Sequence, residues 1–273
     1  MTTYATVADV VAAVHRRYEP ATAQQWDAVG LVCGDPEQPV RRIHLAVDAV
    51  ESTVAEALDA GADLLITHHP LLLHPVTSVA ATTVSGRILH RLIRGGCALL
   101  AVHTNGDVAH DGVSDALATA VGVHATVPVV PLPEDPSSGL GRVGDLAAAT
   151  SLMQFAERLR DSLPATVHGV RVGGDLDRVV RRVAVCGGSG SDMLAAAGAL
   201  GADVVVTADL KHHNAGDFLA EGGPALLDVS HWASEWPWLA LLRDRLVSDL
   251  AADGVTVDTH VSMLVTDPWT ARL

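Results

Sequence analysis

Aromatic side chains are scarce in this chain, with five tryptophans, two tyrosines and two phenylalanines among 273 residues. Its hydrophobic mass is alanine, valine and leucine, and at this length it suffices for two domains or one large α/β domain. Long apolar runs are also missing. Crossing a bilayer takes roughly 18 to 20 such residues, so a membrane span is excluded, and residues 4–18 carry charges among apolar positions at helical spacing (Val7, Val10, Val11, Val14) in place of a cleavable leader. A cytoplasmic protein beginning with an ordinary helix is expected. Three cysteines, Cys33, Cys97 and Cys186, lie far apart in apolar segments, which fits neither a disulfide framework nor a zinc ribbon. Basic stretches are absent too. The formal charge is −14, and Lys211 is the single lysine, so there is no basic face for broad nucleic-acid binding. An anionic small molecule would need local cations, which bound divalent ions can supply.

Histidine is plentiful by contrast, and its placement is informative. His68 and His69 follow the apolar run 62–67 and precede Pro70, where a buried strand should stop. Successive side chains on an extended backbone point to opposite sides, so the pair is expected to serve two ions, one histidine each. Asp107 lies just past the apolar run Cys97 to Val102, and His231 and Glu235 lie just past Ala225 to Val229. Five imidazole and carboxylate groups, each beyond a predicted strand, describe a dinuclear metal site. With no thiolate among them they suit Zn, Fe, Mn, Co or Ni without separating these. Pro237 is tolerated only in a first helical turn, which places the helix start near Ala233 or Ser234 and His231 in the loop before it.

Further candidates surround these five. His103 and His213 read as partners of metal-bound groups or as proton shuttles. Gly187-Gly188-Ser189-Gly190, between a strand and a helix, offers backbone N–H groups to a phosphate, although it matches neither a Walker A loop nor G-x-G-x-x-G and a tight turn would use the same glycines. Lys211 is a second phosphate candidate. No serine or cysteine has nucleophile-elbow context.

A repeat organises the whole. Arg41-Arg42-Ile43, a strand, a helix and 61–67 return 140 residues later as Arg181-Arg182-Val183, strand, helix and 201–207. Each copy reads as a β-α-β unit with a parallel pair. The expected fold is two similar α/β halves with the metal site between them, ligands lying beyond the carboxyl ends of strands. Residues 1–127 form the first half, the Pro-, Gly- and Ser-rich stretch 128–144 the connector, and residues 145–273 the second half.

Seven segments in order, Trp26 to Leu31, Thr67 to Pro70, His103 to Asp107, Gly139 to Gly144, Gly187 to Gly190, Asp209 to His213 and His231 to Glu235, closely resemble the GTP cyclohydrolase I type 2 family, also called the Nif-three-like dinuclear metal-centre hexameric proteins. The resemblance implies a homohexameric ring and two divalent metal ions per chain, held by His68, His69, Asp107, His231 and Glu235, with Glu235 bridging. It also implies hydrolysis of GTP to formate and dihydroneopterin triphosphate by a metal-bound hydroxide. Short Pro128 to Gly144 marks a member without the middle domain that longer relatives insert. Ala28, Gly106, Ala208 and Ser230 depart from the family's usual residues and none removes a ligand. Nothing in the residues selects a purine over a phosphoester or an amide, and a metal-binding scaffold without turnover is the alternative of a different class.

Overall fold

Asp63 and Asp203 make the same two hydrogen bonds 140 residues apart. In the computed structural model, which describes residues 4–273, Asp63 Oδ2 accepts the Arg41 and Arg42 N–H groups and Asp203 Oδ2 accepts those of Arg181 and Arg182. Each carboxylate pins the start of one strand to the start of the next. Ile43 therefore lies opposite Leu64, and Val183 opposite Val204.

In chain order the strands are β1 (Ala5–Thr6), β2 (Gly30–Cys33), β3 (Pro39–Val40), β4 (Arg42–Ala46), β5 (Leu64–Thr67), β6 (Ala98–Ala101), β7 (Val123–Pro131), β8 (Gly139–Ser151), β9 (Val170–Gly173), β10 (Val179–Ser189), β11 (Val204–Ala208), β12 (Ala225–Val229) and β13 (Asp258–Val261). The helices are α1 (Val7–Arg17), α2 (Glu51–Asp59), α3 (Val84–Gly95), α4 (Thr104–Val108), α5 (Val113–Ala120), α6 (Leu152–Ser162), α7 (Leu194–Ala199), α8 (His212–Ala220) and α9 (His231–Ala252). Thr6 and Asp9 close a reciprocal cap on α1, satisfying donors that the first helical turn leaves open.

The chain divides into two compact units, residues 1–106 with 239–266, and residues 107–238 with 267–273. The first carries a five-stranded sheet in the order β13-β4-β5-β6-β2. Its central strands β4, β5 and β6 are parallel, and β5 and β6 are buried on both faces throughout, which is why those two read as near-continuous apolar runs. Ala46, Val54, Leu65, Ile88, Leu92 and Leu99 form the core on one side of that sheet. The second unit carries a six-stranded sheet, β7-β8-β10-β11-β12-β9, with β10, β11 and β12 parallel. Phe155, Leu159, Val183, Val204 and Leu227 centre one of its cores.

Three expectations need correction. Residues 128–144 are no connector: β7 and β8 pair antiparallel through them, and the Pro, Gly and Ser content is concentrated in their turn and at a sheet edge, where proline is tolerated. The units accordingly divide at residues 106 and 107, not near 127, and β13 from the far end of the chain pairs with β4. Helix α9 begins at His231, with Pro237 inside it. Ser234 N–H reaches Ser230 carbonyl at 3.0 Å, the Ser234 hydroxyl donates to the His231 carbonyl at 2.7 Å, and Trp232, Ala233 and Trp238 are buried. That packing offsets the bond the proline removes.

Candidate functional site

In the first unit, β5 and β6 deliver three histidines to one place. The ladder continues past Thr67, since His68 N–H and His69 N–H reach the carbonyls of Ala46 and Val47 at 3.3 and 2.9 Å. The Thr67 hydroxyl then bonds the His69 carbonyl at 2.9 Å and the strand bends. Simple alternation would have sent the two rings apart. They lie instead with centroids 5.0 Å apart, and both meet His103 edge-on at 5.1 and 5.4 Å. One ring nitrogen from each of His68, His69 and His103 falls within 4.8 Å of the others, so His103 stands directly beside the pair.

What fixes these rings is an acceptor behind each Nδ1. The Val102 carbonyl lies 2.9 Å from His68 Nδ1, Asp48 Oδ1 2.6 Å from His69 Nδ1, and Asp27 Oδ1 2.8 Å from His103 Nδ1. An acceptor there requires the proton on Nδ1 and leaves the lone pair on Nε2, the tautomer that metal-binding histidines show when a carboxylate or carbonyl orients them. Asp48 is itself steadied by the Thr266 hydroxyl. Asp27 is steadied by the N–H and hydroxyl of Thr104. Burial pushes the Asp27 carboxyl up, but the hydrogen bonds from Thr104 and His103 outweigh it and hold Asp27 below the usual carboxylate range. His103 is lowered, chiefly by burial and then by His68.

The second unit repeats the device. His231 Nδ1 lies 2.7 Å from Asp209 Oδ2, and Asp209 adopts the left-handed backbone at φ 58°, a conformation disfavoured for a non-glycine residue and concentrated at functional sites. Because α9 starts at His231, Glu235 stands one turn along the same face. His231 Nε2 and Glu235 Oε1 meet at 2.9 Å. With one proton on Nδ1 committed to Asp209, Nε2 faces a carboxylate oxygen there, a pairing that a shared cation, a proton or a metal ion, can satisfy. Asp107, in α4, joins this neighbourhood: burial first, then the carboxylates of Asp107 and Glu235, push the Cys186 thiol up to about 12. Cys186 is thus an inert, protonated core residue.

The glycine-rich segment has a different task from the one its sequence suggested. A Cβ on Gly188 would stand 2.5 Å from Glu235 Oε1 and 3.1 Å from His231 Nε2, and one on Gly187 would stand 2.4 Å from Val113. Only glycine lets this backbone lie so close to the pair. Gly188 N–H donates to Ser234 Oγ at 2.8 Å and Gly187 N–H to Ser114 Oγ at 3.4 Å, so these two groups are not offered to a phosphate. Gly187, Gly188 and Ser189 also belong to β10. Lys211 is exposed immediately before α8, and His213 is exposed on α8, a helix without a buried residue. Among the described residues, no group of metal-binding donors includes His213.

The sequence model of the DUF34/NIF3 family (NGG1p interacting factor 3) matches residues 5–268. The chain belongs to this family. A Streptomyces coelicolor relative named GTP cyclohydrolase 1 type 2 homolog is 46% identical over 98% of this chain and 94% of its own length. A Mycobacterium tuberculosis protein of the same name is 34% identical over 96% of each. Among solved structures, a Bacillus cereus protein related to NIF3 superposes with a TM-score of 0.90 at 26% identity, covering 98% of this chain and all of the other. A Staphylococcus aureus hypothetical protein does so with 0.91 at 28% identity, covering 99% and 100%. The mixed α/β architecture is thus the DUF34/NIF3 fold, its histidine and carboxylate groups suit metal binding, and no helix among the described residues is long and apolar enough to cross a membrane.

Proposed function

We propose that this DUF34/NIF3 protein is a dinuclear metal-dependent hydrolase acting on GTP, with formate and dihydroneopterin triphosphate as products, working in the cytoplasm as a homohexamer. His68, His69, Asp107, His231 and Glu235 are the proposed ligands of two divalent ions. The observation that carries the reading is the acceptor behind Nδ1 of His68, His69 and His231, which turns Nε2 of all three into a donor before any ion arrives. The donor set fits Zn, Fe, Mn, Co or Ni. When bound, a pair of such ions supplies Lewis acidity and lowers the pKa of water.

The remaining work falls to the chain. Asp48 and Asp209 hold the His69 and His231 rings in the binding tautomer. His103 stands beside His68 and His69 with its own Nδ1 held by Asp27, so its Nε2 is the atom that takes up and returns a proton, and the Asp27 carboxylate steadies the imidazolium that forms in between. We assign the proton to His103 and not to His213, which lies exposed on the surface of α8. For the triphosphate, Lys211 and the Gly190 N–H are the remaining candidates once Gly187 and Gly188 are committed to serines and Ser189 to the pairing of β10 with β11.

Glu235→Gln tests this. Glu235 is 3% exposed and glutamine keeps its volume, so assembly should survive while metal content falls below two ions per chain and formate release from GTP drops at least 100-fold. Wild-type protein that holds two ions and releases no formate would remove GTP as substrate. Loss of assembly in the variant, with no turnover of GTP or generic phosphoesters by the wild type, would replace the enzyme with a metal-dependent scaffold.

A further inference from the structure

Trp26 is one of only five tryptophans, and it is 57% exposed. A packed tryptophan buries some 150–250 Å², so a fold this poor in aromatics leaves much of that stabilisation unused here. The ring is not adrift: it meets His103 edge-on, centroids 5.9 Å apart at 77°. It also lines a cavity of about 380 Å³ together with Gln25, Asp27, Leu72, Leu73 and His74, within the roughly 300–1,000 Å³ of small-molecule sites. The far wall comes from residues 68–83, which contain neither helix nor strand. Irregular segments longer than about 12–15 residues in a compact fold are uncommon and usually functional.

The chemistry of the wall narrows the occupant. No lysine or arginine lines the cavity, and Asp27 presents a carboxylate already committed to His103 and Thr104, so phosphate groups are repelled. Leucine side chains and an indole favour a flat apolar surface, while the Gln25 amide and the His74 imidazole can donate to and accept from a polar ring edge. We propose that this cavity receives the heteroaromatic ring of the substrate, stacked against Trp26, with the phosphates directed elsewhere. Trp26 is then a specificity residue: Asp27 orients His103, and Trp26, the adjacent position in the chain, orients the substrate ring beside it. This rests on the hydrolase reading above for its substrate class.

Guanosine, which has the ring and lacks the phosphates, is the probe. Calorimetric titration into metal-loaded wild-type protein, Trp26→Ala and Trp26→Phe, with metal content measured on each, should give binding that weakens roughly 10- to 100-fold in the alanine variant, the range for losing an aromatic stacking partner. Phenylalanine should restore it to within a few fold. Guanosine should also quench tryptophan fluorescence in the wild type and fail to do so in Trp26→Phe. Equal guanosine affinity in wild type and Trp26→Ala overturns the proposal, as does a wild type that binds inorganic triphosphate but no guanosine. The two readings fail separately. Two ions with formate release unaffected by Trp26→Ala would leave the metal site standing and remove the ring pocket, whereas Trp26-dependent guanosine binding by a wild type that takes up no divalent metal would keep the pocket and remove the metal.

Discussion

Replacing Gly188 with alanine separates what a backbone conformation costs from what crowding of the proposed metal site costs. Gly188 has φ +65°, and its missing Cβ would stand 2.5 Å from Glu235 Oε1 and 3.1 Å from His231 Nε2. The left-handed backbone alone costs a residue with a Cβ about 1–2 kcal/mol. Gly122, in the same unit, has φ +77° with nothing within 4 Å of a Cβ, so Gly122→Ala measures that cost by itself. At about 2–4 °C per kcal/mol for domains of roughly this size, its melting temperature should fall by about 2–8 °C. Gly188→Ala, measured in chelator, should fall at least as far. The difference appears in the metal. A contact of 2.5 Å forces Glu235 or His231 away from the position their partners set, and disturbing groups that orient metal ligands costs about 10- to 100-fold in affinity. Zinc titration against a chromogenic chelator should therefore show that loss in Gly188→Ala and wild-type affinity in Gly122→Ala. Unchanged zinc affinity in Gly188→Ala would refute the assignment of His231 and Glu235 as ligands.

Asp209→Ala removes the acceptor behind His231 Nδ1 and is expected to weaken zinc binding about 10- to 100-fold in the same competition assay. Asp209→Gly should do likewise while relieving the left-handed strain, so that it melts above the alanine variant. His44 is fully buried on β4, 3.0 Å from Glu56 Oε2, and burial lowers its pKa below 6.5, more than Glu56 raises it. The unfolded chain then binds more protons than the folded one as pH drops through about 6.5, so this contribution to stability is present above that pH and lost below it. Urea midpoints at pH 7.5 and 5.5 should differ less in His44→Leu than in the wild type, and an equal difference would refute the assignment.

The proposed ligand positions were legible because of where strands stop. β5, β6 and β12 are buried parallel strands, which read as largely apolar runs, interrupted in β12 by Asp228, and His68, His69, Asp107, His231 and Glu235 are polar groups that follow them. The groups that orient these ligands were not legible, because what they contact is distant in sequence: Asp48 stands 21 residues from His69 and Asp27 stands 76 residues from His103. β13 escaped notice for the same reason, being four half-exposed residues whose partner β4 lies near the other end of the chain. β7 was hidden differently, since Pro128 and Pro131 lie within it and only its place at a sheet edge makes them tolerable. A signal for two of the three orienting aspartates was nevertheless present. Asp48 follows β4 and Asp209 follows β11, strands that are not equivalents in the repeat, which relates β4 to β10 and β5 to β11, yet each unit places a carboxylate beyond one parallel strand and an imidazole beyond the next. The neighbouring strand supplies the acceptor, its parallel partner supplies the ring, and their hydrogen-bonded register fixes the distance between them. In an α/β sheet of this kind, the carboxyl ends of adjacent parallel strands should be read together, the carboxylates as orienters and the histidines as ligands, before any single motif is weighed.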